Sequence, residues 1–261
     1  MQKVERYKIT LETLEPLRIG GPDDPLQGQV KLVTMIGDEI VIPGASLKGA
    51  LRSEIERYLI DSFYDLQPKE WQKDKGPWAP CIPAPKLSFD ERKLVNSKKY
   101  SGEACQYNPN RKLKEDEKKC ICPACYLLGA NGLPGFVRVP FLRPVDPILA
   151  GELYSSSIDR FTETVKQGTN RPYSIVPNGT VFDGVLEVLI TDTIRDWHFG
   201  TPRGLGNVTH GDLWLRGSQT TKESLIQDFL IDRLQSIQMM GGHKSKGCGK
   251  ISIKIEKIKK S

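Results

Sequence analysis

No apolar run in these 261 residues approaches the roughly twenty needed to cross a bilayer, which argues against a membrane-spanning helix. The first residues, MQKVERYKIT, lack an apolar core of the kind a secretory signal carries, so the cytoplasm is the expected compartment. Neither sign of charge dominates. Lys and Arg number 38 against 32 Asp and Glu, a net charge of +6 that permits a polyanionic partner without requiring one. Histidine is scarce. His198, His210 and His243 are the only imidazoles, and each also reads as an ordinary solvated loop residue. What is present is sufficient for a core: 38% hydrophobic residues exclude wholesale disorder, and the length suits one large domain or two small ones.

Residues 7–13 alternate cleanly. Tyr7, Ile9 and Leu11 fall on one side and Lys8, Thr10 and Glu12 on the other, the pattern of a half-buried strand. Pro43-Gly44 breaks the chain, and Ser46 is placed to cap a helix running to about Phe63. Leu47, Leu51, Ile55 and Leu59 recur every four residues along it, predicting one buried face. Residues 64–119 lose periodicity and read as long loops in need of a tie. Beyond Gly135, FVRVPFL and GVLEVLI (184–190) read as strands, Lys222 to Met239 as a helix, and Ile251, Ile253 and Ile255 as alternate positions of a last strand. Strand, helix, strands, helix, strand is the outline of a ferredoxin-like α+β domain, an antiparallel sheet with helices on one face. The other face is then free to meet a ligand, as in RNA-recognition modules.

Four segments carry chemistry. In Ile42-Pro43-Gly44-Ala45-Ser46-Leu47-Lys48-Gly49-Ala50-Leu51-Arg52, a helix start is followed by two cations, and Gly49 allows close backbone approach; together they suit phosphate. A solvated, capped helix is the plainer alternative. Between 241 and 250, glycines at 241, 242, 247 and 249 alternate with Lys244, Lys246 and Lys250. A strand follows instead of a helix, so a nucleotide P-loop is excluded, and a phosphate-contacting turn or a plain hairpin remains. Cys120-Ile121-Cys122-Pro123-Ala124-Cys125 has thiol spacing suited to tetrahedral zinc. Cys105 is the nearest fourth ligand and Cys81 the alternative; free thiols or a redox pair compete with that reading. Around Ser157–Thr162 and Gly168–Tyr173, Arg160 and Arg171 can reach phosphate while Phe161 and Tyr173 can stack on bases. The helix start and the glycine-rich turn are expected to converge on one groove.

In this order, IPGASLKGALR, CPACYLLGA, SIDRFTETV and GGHKSKGCGK resemble the RAMP superfamily, and within it the repeating Csm/Cmr-type backbone subunits of type III CRISPR–Cas effector complexes. The likeness spans about residues 7–257. It implies a single RAMP domain over 1–261, with an RNA-recognition-like core at about 1–63 and 135–261, a zinc-binding insertion at about 64–134 and a thumb-like hairpin at about 157–180. It implies a ribonucleoprotein of antiviral defence that stacks along guide RNA with copies or paralogues of itself and positions complementary target RNA. Ser46, Lys48 and Arg52 match guide-backbone positions. Gly242, His243, Lys244, Ser245, Lys246 and Gly247 match the family's glycine-rich loop, and Asp159, Arg160, Phe161 and Arg171 match the thumb.

The chain departs from that pattern at one point. Members that cut target RNA carry an aspartate in the loop before the IPG motif, whereas Gln27-Gly28-Gln29-Val30-Lys31 holds no carboxylate. Either Asp23 or Asp24, a few residues earlier, substitutes as the catalytic carboxylate with Mg²⁺ as the cofactor, or the subunit is a non-cutting spacer, the reading the missing carboxylate favours. The alternative is a metal-independent RAMP endoribonuclease that processes precursor guide RNA with one of the three histidines as base.

Overall fold

A computed structural model describes residues 1–20, 33–63, 78–110, 119–205, 210–215 and 220–259. The plainest alternation in the sequence becomes the middle of the main sheet. Strand β1 (Gln2–Thr13) starts five residues earlier than its pattern predicts and buries Tyr7, Ile9, Leu11 and Thr13. Short strands β2 (Met35–Ile36) and β3 (Glu39–Ile40) form a hairpin of their own, and β4 (Lys119–Cys120) lies apart from the main sheet. Then follow β5 (Val137–Arg138), β6 (Arg143–Pro144), β7 (Gly151–Ser155), β8 (Arg171–Ile175) and β9 (Val181–Asp192). Strands β10 (Trp197–His198), β11 (His210–Gly211) and β12 (Ile251–Lys257) complete the series. The six-stranded antiparallel sheet runs β10-β9-β1-β12, with β5 and β6 also on β9. Of the segment FVRVPFL (136–142), expected as a strand, Val137–Arg138 pairs with β9 and Leu142 bridges Ile42, while β6 follows the segment.

One face of this sheet is covered by helices. Helix α1 (Gly44–Phe63) buries Leu47, Leu51, Ile55 and Leu59 completely, and full burial of each contributes about 1.5–3 kcal/mol. The helix begins at Gly44, so Ser46 is its third residue and not its cap; the Pro43 carbonyl accepts from the Ser46 and Leu47 amides instead. Gly44 is required by crowding, since a Cβ there would stand 2.8 Å from the carbonyl oxygens of Val139 and Pro140. Helix α2 (Phe89–Asn96) and helix α3 (Pro123–Leu128) lie between α1 and β5 in the chain. A helical run over 222–235 packs beside α1, with Tyr58 and Phe229 edge to face at 5.2 Å. It consists of α4 (Lys222–Ile226), a π turn at Gln227–Ile231 and α5 (Asp232–Gln235). It ends four residues before Met239, because residues 238–240 must pair with 249–251 across the glycine-rich turn.

The opposite face bears out the alternation, but its described centre carries no stacking platform. Among its described residues, Arg6 pairs with Glu187 at 3.0 Å, Lys8 with Asp183 at 3.2 Å and Arg138 with Glu187 at 3.3 Å. Charge is matched within the sheet, and no aromatic ring stands at Thr10, Glu12, Val185, Lys254 or Glu256. Among the described residues at the centre of this face, none offers a ring for base stacking; an exposed ring stands at His198 on the edge strand β10.

Residues 64–119, read as long loops, contain the eight-residue α2. Its capping box is complete: Ser88 Oγ accepts from the Glu91 amide, and the Glu91 carboxylate accepts from the Ser88 amide. The S-x-x-E spacing at Ser88–Glu91 is the signal for it in the sequence. Tyr126, Phe136, Phe199 and Trp214 form a cluster that extends the core into the residues that follow it. Arg203 is sealed within it, 0% exposed and doubly hydrogen-bonded to Asp212 at 2.8 Å, with the Tyr126, Phe136 and Trp197 rings around its guanidinium. None of the described helices is long and apolar enough to cross a membrane.

Glu5 ties three elements together. Its carboxylate accepts from Lys222 and Lys257, each at 2.6 Å, and from Tyr7 at 2.9 Å. Burial works against its charge, yet these bonds outweigh that and lower its pKa from 4.5 to about 2. The folded-state value is depressed, so the stability it contributes is complete above pH 4.5 and is lost as pH falls toward 2. Glu5→Gln should cost on the order of 1 kcal/mol at pH 7. Thermal unfolding of both proteins should show the gap constant from pH 7 to 5 and closing below pH 4.5; a gap as wide at pH 2.5 as at pH 7 would sink this account.

Candidate metal centre and nucleic-acid surface

Four thiols converge where the insertion meets α1. The sulfurs of Cys81, Cys105, Cys122 and Cys125 all lie within 4.8 Å of one another. Cys122 and Cys125 come from the start of α3, where the C-x-x-C spacing brings both inward, and Cys81 and Cys105 come from the preceding loops. Cys81 and Cys125 Sγ are 3.4 Å apart. Backbone amides already point at the sulfurs: the Cys105 amide donates to Cys81 Sγ at 3.3 Å and the Cys122 amide to Cys105 Sγ at 3.4 Å. Hydrogen bonds from the other three thiols pull the Cys81 thiol well below its ordinary value. Tetrahedral zinc with Zn–S bonds of about 2.3 Å sets its sulfurs about 3.8 Å apart, so this donor set fits with sub-ångström to one-ångström adjustments. Bound there, zinc would be structural, closing loops that have little regular structure to close them.

This corrects the ligand set expected from spacing. Cys81, the alternative, stands in the cluster, and Cys120 does not. Cys120 lies in β4, paired with β11, and its thiol is turned to the Ile121 carbonyl at 3.6 Å while its own carbonyl accepts from Cys105. Cys248 is buried in the glycine-rich turn, away from the centre.

A second correction concerns Arg52. Expected as a phosphate contact beside Lys48, it is turned inward, its side chain only 13% exposed. Nη1 donates to Cys125 Sγ at 3.4 Å, and Nη2 donates to Cys81 Sγ at 3.2 Å and to the Cys81 carbonyl at 2.8 Å. Nε faces Glu56 at 2.6 Å. Burial opposes its charge, but Cys125, Cys122 and Cys81 outweigh that and raise its pKa still further. Burial likewise pushes the Glu56 carboxyl up. Lys48 and Ser46, by contrast, are exposed. An open cleft of about 860 Å³ runs from Gly44 and Lys48 past Arg52 and the cysteines to Arg138 and Phe141.

The glycine-rich turn is anchored elsewhere. The Gly242 amide donates to the Arg18 carbonyl and the Gly249 amide to the Pro16 carbonyl, each at 2.9 Å. At Gly241, φ is +77° and a Cβ would stand 2.2 Å from the Arg18 carbonyl oxygen, so only glycine fits. His243 stacks flat on Tyr173, with centroids 4.4 Å apart, and Arg18 lies over the same ring at 5.4 Å. Lys246 donates to Ser155 Oγ at 2.9 Å. The turn therefore sits on the base of the β7–β8 hairpin, with Lys244, Ser245, Lys246 and Gly247 exposed. It contributes nothing to the lining of the cleft, so the cleft is not the single groove expected from sequence.

The hairpin itself is present, with strands at 151–155 and 171–175 and residues between them forming the projecting end. Asp159, expected to touch RNA, organises that end instead: its Oδ1 accepts from the Phe161 and Thr162 amides at 2.9 and 3.1 Å. These backbone bonds hold its carboxyl below the ordinary range. They also leave Phe161 97% exposed at the tip, beside exposed Arg160, with Arg171 exposed on β8. Asp23 and Asp24 lie outside the described residues, as does the Gln27–Lys31 stretch. The residues sequence reading missed here are Arg18, Ser155 and Glu56; the i,i+4 spacing of Arg52 and Glu56 on one helix is a local signal for the last, whereas Arg18 and Ser155 meet partners far away in the chain.

A family model described as RAMPs, the RAMP superfamily, matches residues 10–209. No curated protein matches the chain.

Zinc occupancy should follow the geometry. Metal analysis of purified protein should find about one zinc per chain. Cys81→Ser should lose it, while Cys120→Ser should retain it. Retention in the first variant and loss in the second would restore the ligand set read from spacing.

Proposed function

From the premise that the chain belongs to the RAMP superfamily, whose members bind RNA and work in CRISPR complexes, we propose that it is a guide-RNA-binding backbone subunit of a type III effector complex. On this reading the main sheet and its helices are a ferredoxin-like core at about 1–63 and 135–261, and 64–134 is a zinc-stabilised insertion. The 157–180 region is the thumb that meets the guide–target duplex. Copies or paralogues of the subunit stack along the guide in the cytoplasm. Zinc, held by Cys81, Cys105, Cys122 and Cys125, supplies folding energy and no chemistry on RNA. If target RNA is cut, Asp23 or Asp24 with Mg²⁺ is the group to test; processing of precursor guide RNA by a histidine is the competing activity.

The observation that carries the reading is Gly49. A glycine inside an exposed stretch of helix costs about 1 kcal/mol relative to alanine. Packing does not account for it, since a Cβ there would meet no atom within 4 Å. What does account for it is a ligand backbone that comes close to the helix beside exposed Lys48. Phe161 supports the same reading. A fully exposed phenylalanine on a hydrogen-bonded tip is suited to stack on a base or wedge between two.

Two variants test it with opposite signatures. Gly49→Ala should stabilise the fold by roughly 0.5–1 kcal/mol in thermal unfolding yet weaken binding of single-stranded guide RNA in filter assays. Lys48→Ala should weaken binding and lower the log–log salt slope by roughly 0.7, the share of one phosphate contact on a single strand. Unchanged affinity in both proteins would remove the helix start from the interface.

A further inference from the structure

The proposed zinc reading leaves an electrostatic question open, and Arg52 answers it. Four thiolates around Zn²⁺ carry a net charge of about −2 in a partly buried site. Such charge is costly to bury unless a cation and hydrogen-bond donors lie close by. The guanidinium of Arg52 supplies both. Its two terminal nitrogens donate to sulfurs of two different ligands, Cys125 and Cys81, and one of them also holds the Cys81 carbonyl. Its remaining edge faces Glu56, one helical turn along α1, and the Glu56 carboxylate accepts from the Tyr100 hydroxyl at 3.3 Å. Charges thus alternate from the sulfurs through Arg52 to Glu56. A lysine has no fork with which to engage two sulfurs, a carbonyl and a carboxylate at once.

We propose that Arg52 is a positioning residue of the cysteine centre and not a phosphate contact, and that through it the metal centre is joined to the helix presenting Lys48 and Gly49. The proposal rests on the zinc reading above. Lys48 stands four residues before Arg52, so the two occupy one helix face: the exposed lysine is left for a polyanion, and the buried arginine holds the sulfurs. Removing the guanidinium leaves the zinc–thiolate set without its nearest cation, more nucleophilic and quicker to lose metal.

The test uses the full chain loaded with zinc or with cobalt, comparing wild type with Arg52→Gln, Arg52→Lys and Glu56→Gln. Transfer of zinc to a chromogenic chelator should be roughly ten- to a hundredfold faster in Arg52→Gln. It should be intermediate in Arg52→Lys, and modestly faster in Glu56→Gln, which keeps the guanidinium but frees it from its anchor. The thiolate-to-cobalt charge-transfer band should move to longer wavelength in Arg52→Gln and return part of the way in Arg52→Lys, a response that general destabilisation does not give. The salt slope of RNA binding should stay at the wild-type value. Wild-type transfer rates and spectra in all variants, with a salt slope lowered by roughly 0.7 in Arg52→Gln, would show Arg52 to be a phosphate contact and overturn the proposal. Should Arg52→Gln fail to fold, the Arg52→Lys and Glu56→Gln comparisons decide it in the same way. A wild-type chain that takes up neither metal overturns the zinc reading itself, which distinguishes that failure from failure of the Arg52 assignment.

Discussion

The hold of Arg52 on the four-cysteine cluster is the constraint from which much else follows. The segment between α1 and β5 has little regular structure; α2 within it buries no residue, while the six-residue α3 is wholly buried in the core. Point attachments add to that burial in fixing the position of the loops. Arg52 and Glu56 provide one set, reaching Cys81, Cys125 and Tyr100 from two turns of a helix whose neighbouring face is sunk into the core. The hydroxyl of Tyr126 and the indole of Trp214 provide another, bonding to the backbone of Thr201 and Ile121 across the aromatic cluster. Because α1 is rigidly packed, whatever is fastened to it inherits that rigidity.

Cations in this protein divide by environment. Arg203 and Arg52 are enclosed, each with its charge met by fixed partners, Asp212 in one case and sulfurs with Glu56 in the other. A buried guanidinium that lost its partner would cost several kcal/mol, which makes these residues architectural. On the open sheet face, Arg6, Lys8 and Arg138 are matched by carboxylates at bonding distance. Among the described residues read from sequence as RNA contacts, the exposed cations are Lys48, Lys244 and Lys246 on the glycine-rich turn, and Arg160 and Arg171 along the hairpin. The net charge of +6 says little by itself; its placement says more, since a polyanion is attracted by charge that is both exposed and uncompensated.

The hairpin and the glycine-rich turn behave as one unit. The Tyr173 ring meets both Arg18 and His243, and Lys246 reaches Ser155 on the hairpin's other strand. The turn is itself pinned to residues 14–18 by backbone bonds. A projecting hairpin has few contacts with a core, and its direction is set at its base. Here that base is fixed by a ring stack and a lysine bond, so the tip with Phe161 projects from a defined platform.

Much of the fold was legible in the chain because it rests on local periodicity. The two-residue repeat of β1, the four-residue repeat of Leu47, Leu51, Ile55 and Leu59, and the alternation of Ile251 and Ile253 each describe burial on one side of an element, and the structure buries those residues. Ordered motifs were likewise enough to indicate the superfamily. Sequence reading took Cys120 as a ligand and held Cys81 only as an alternative to Cys105, and it could not tell that Arg52 turns inward while Lys48, one turn away, stays outside. Those outcomes depend on which distant backbone arrives at a given place: the loop of Cys81 brought to α1, β4 drawn off to β11, Tyr173 carried under His243. Periodicity records which side of an element avoids water, and that is a property of neighbours in the chain. The identity of the partner on that side is decided only when remote segments pack, so the core and the family were written in the sequence, while the sulfur set and the role of Arg52 belong to the tertiary structure.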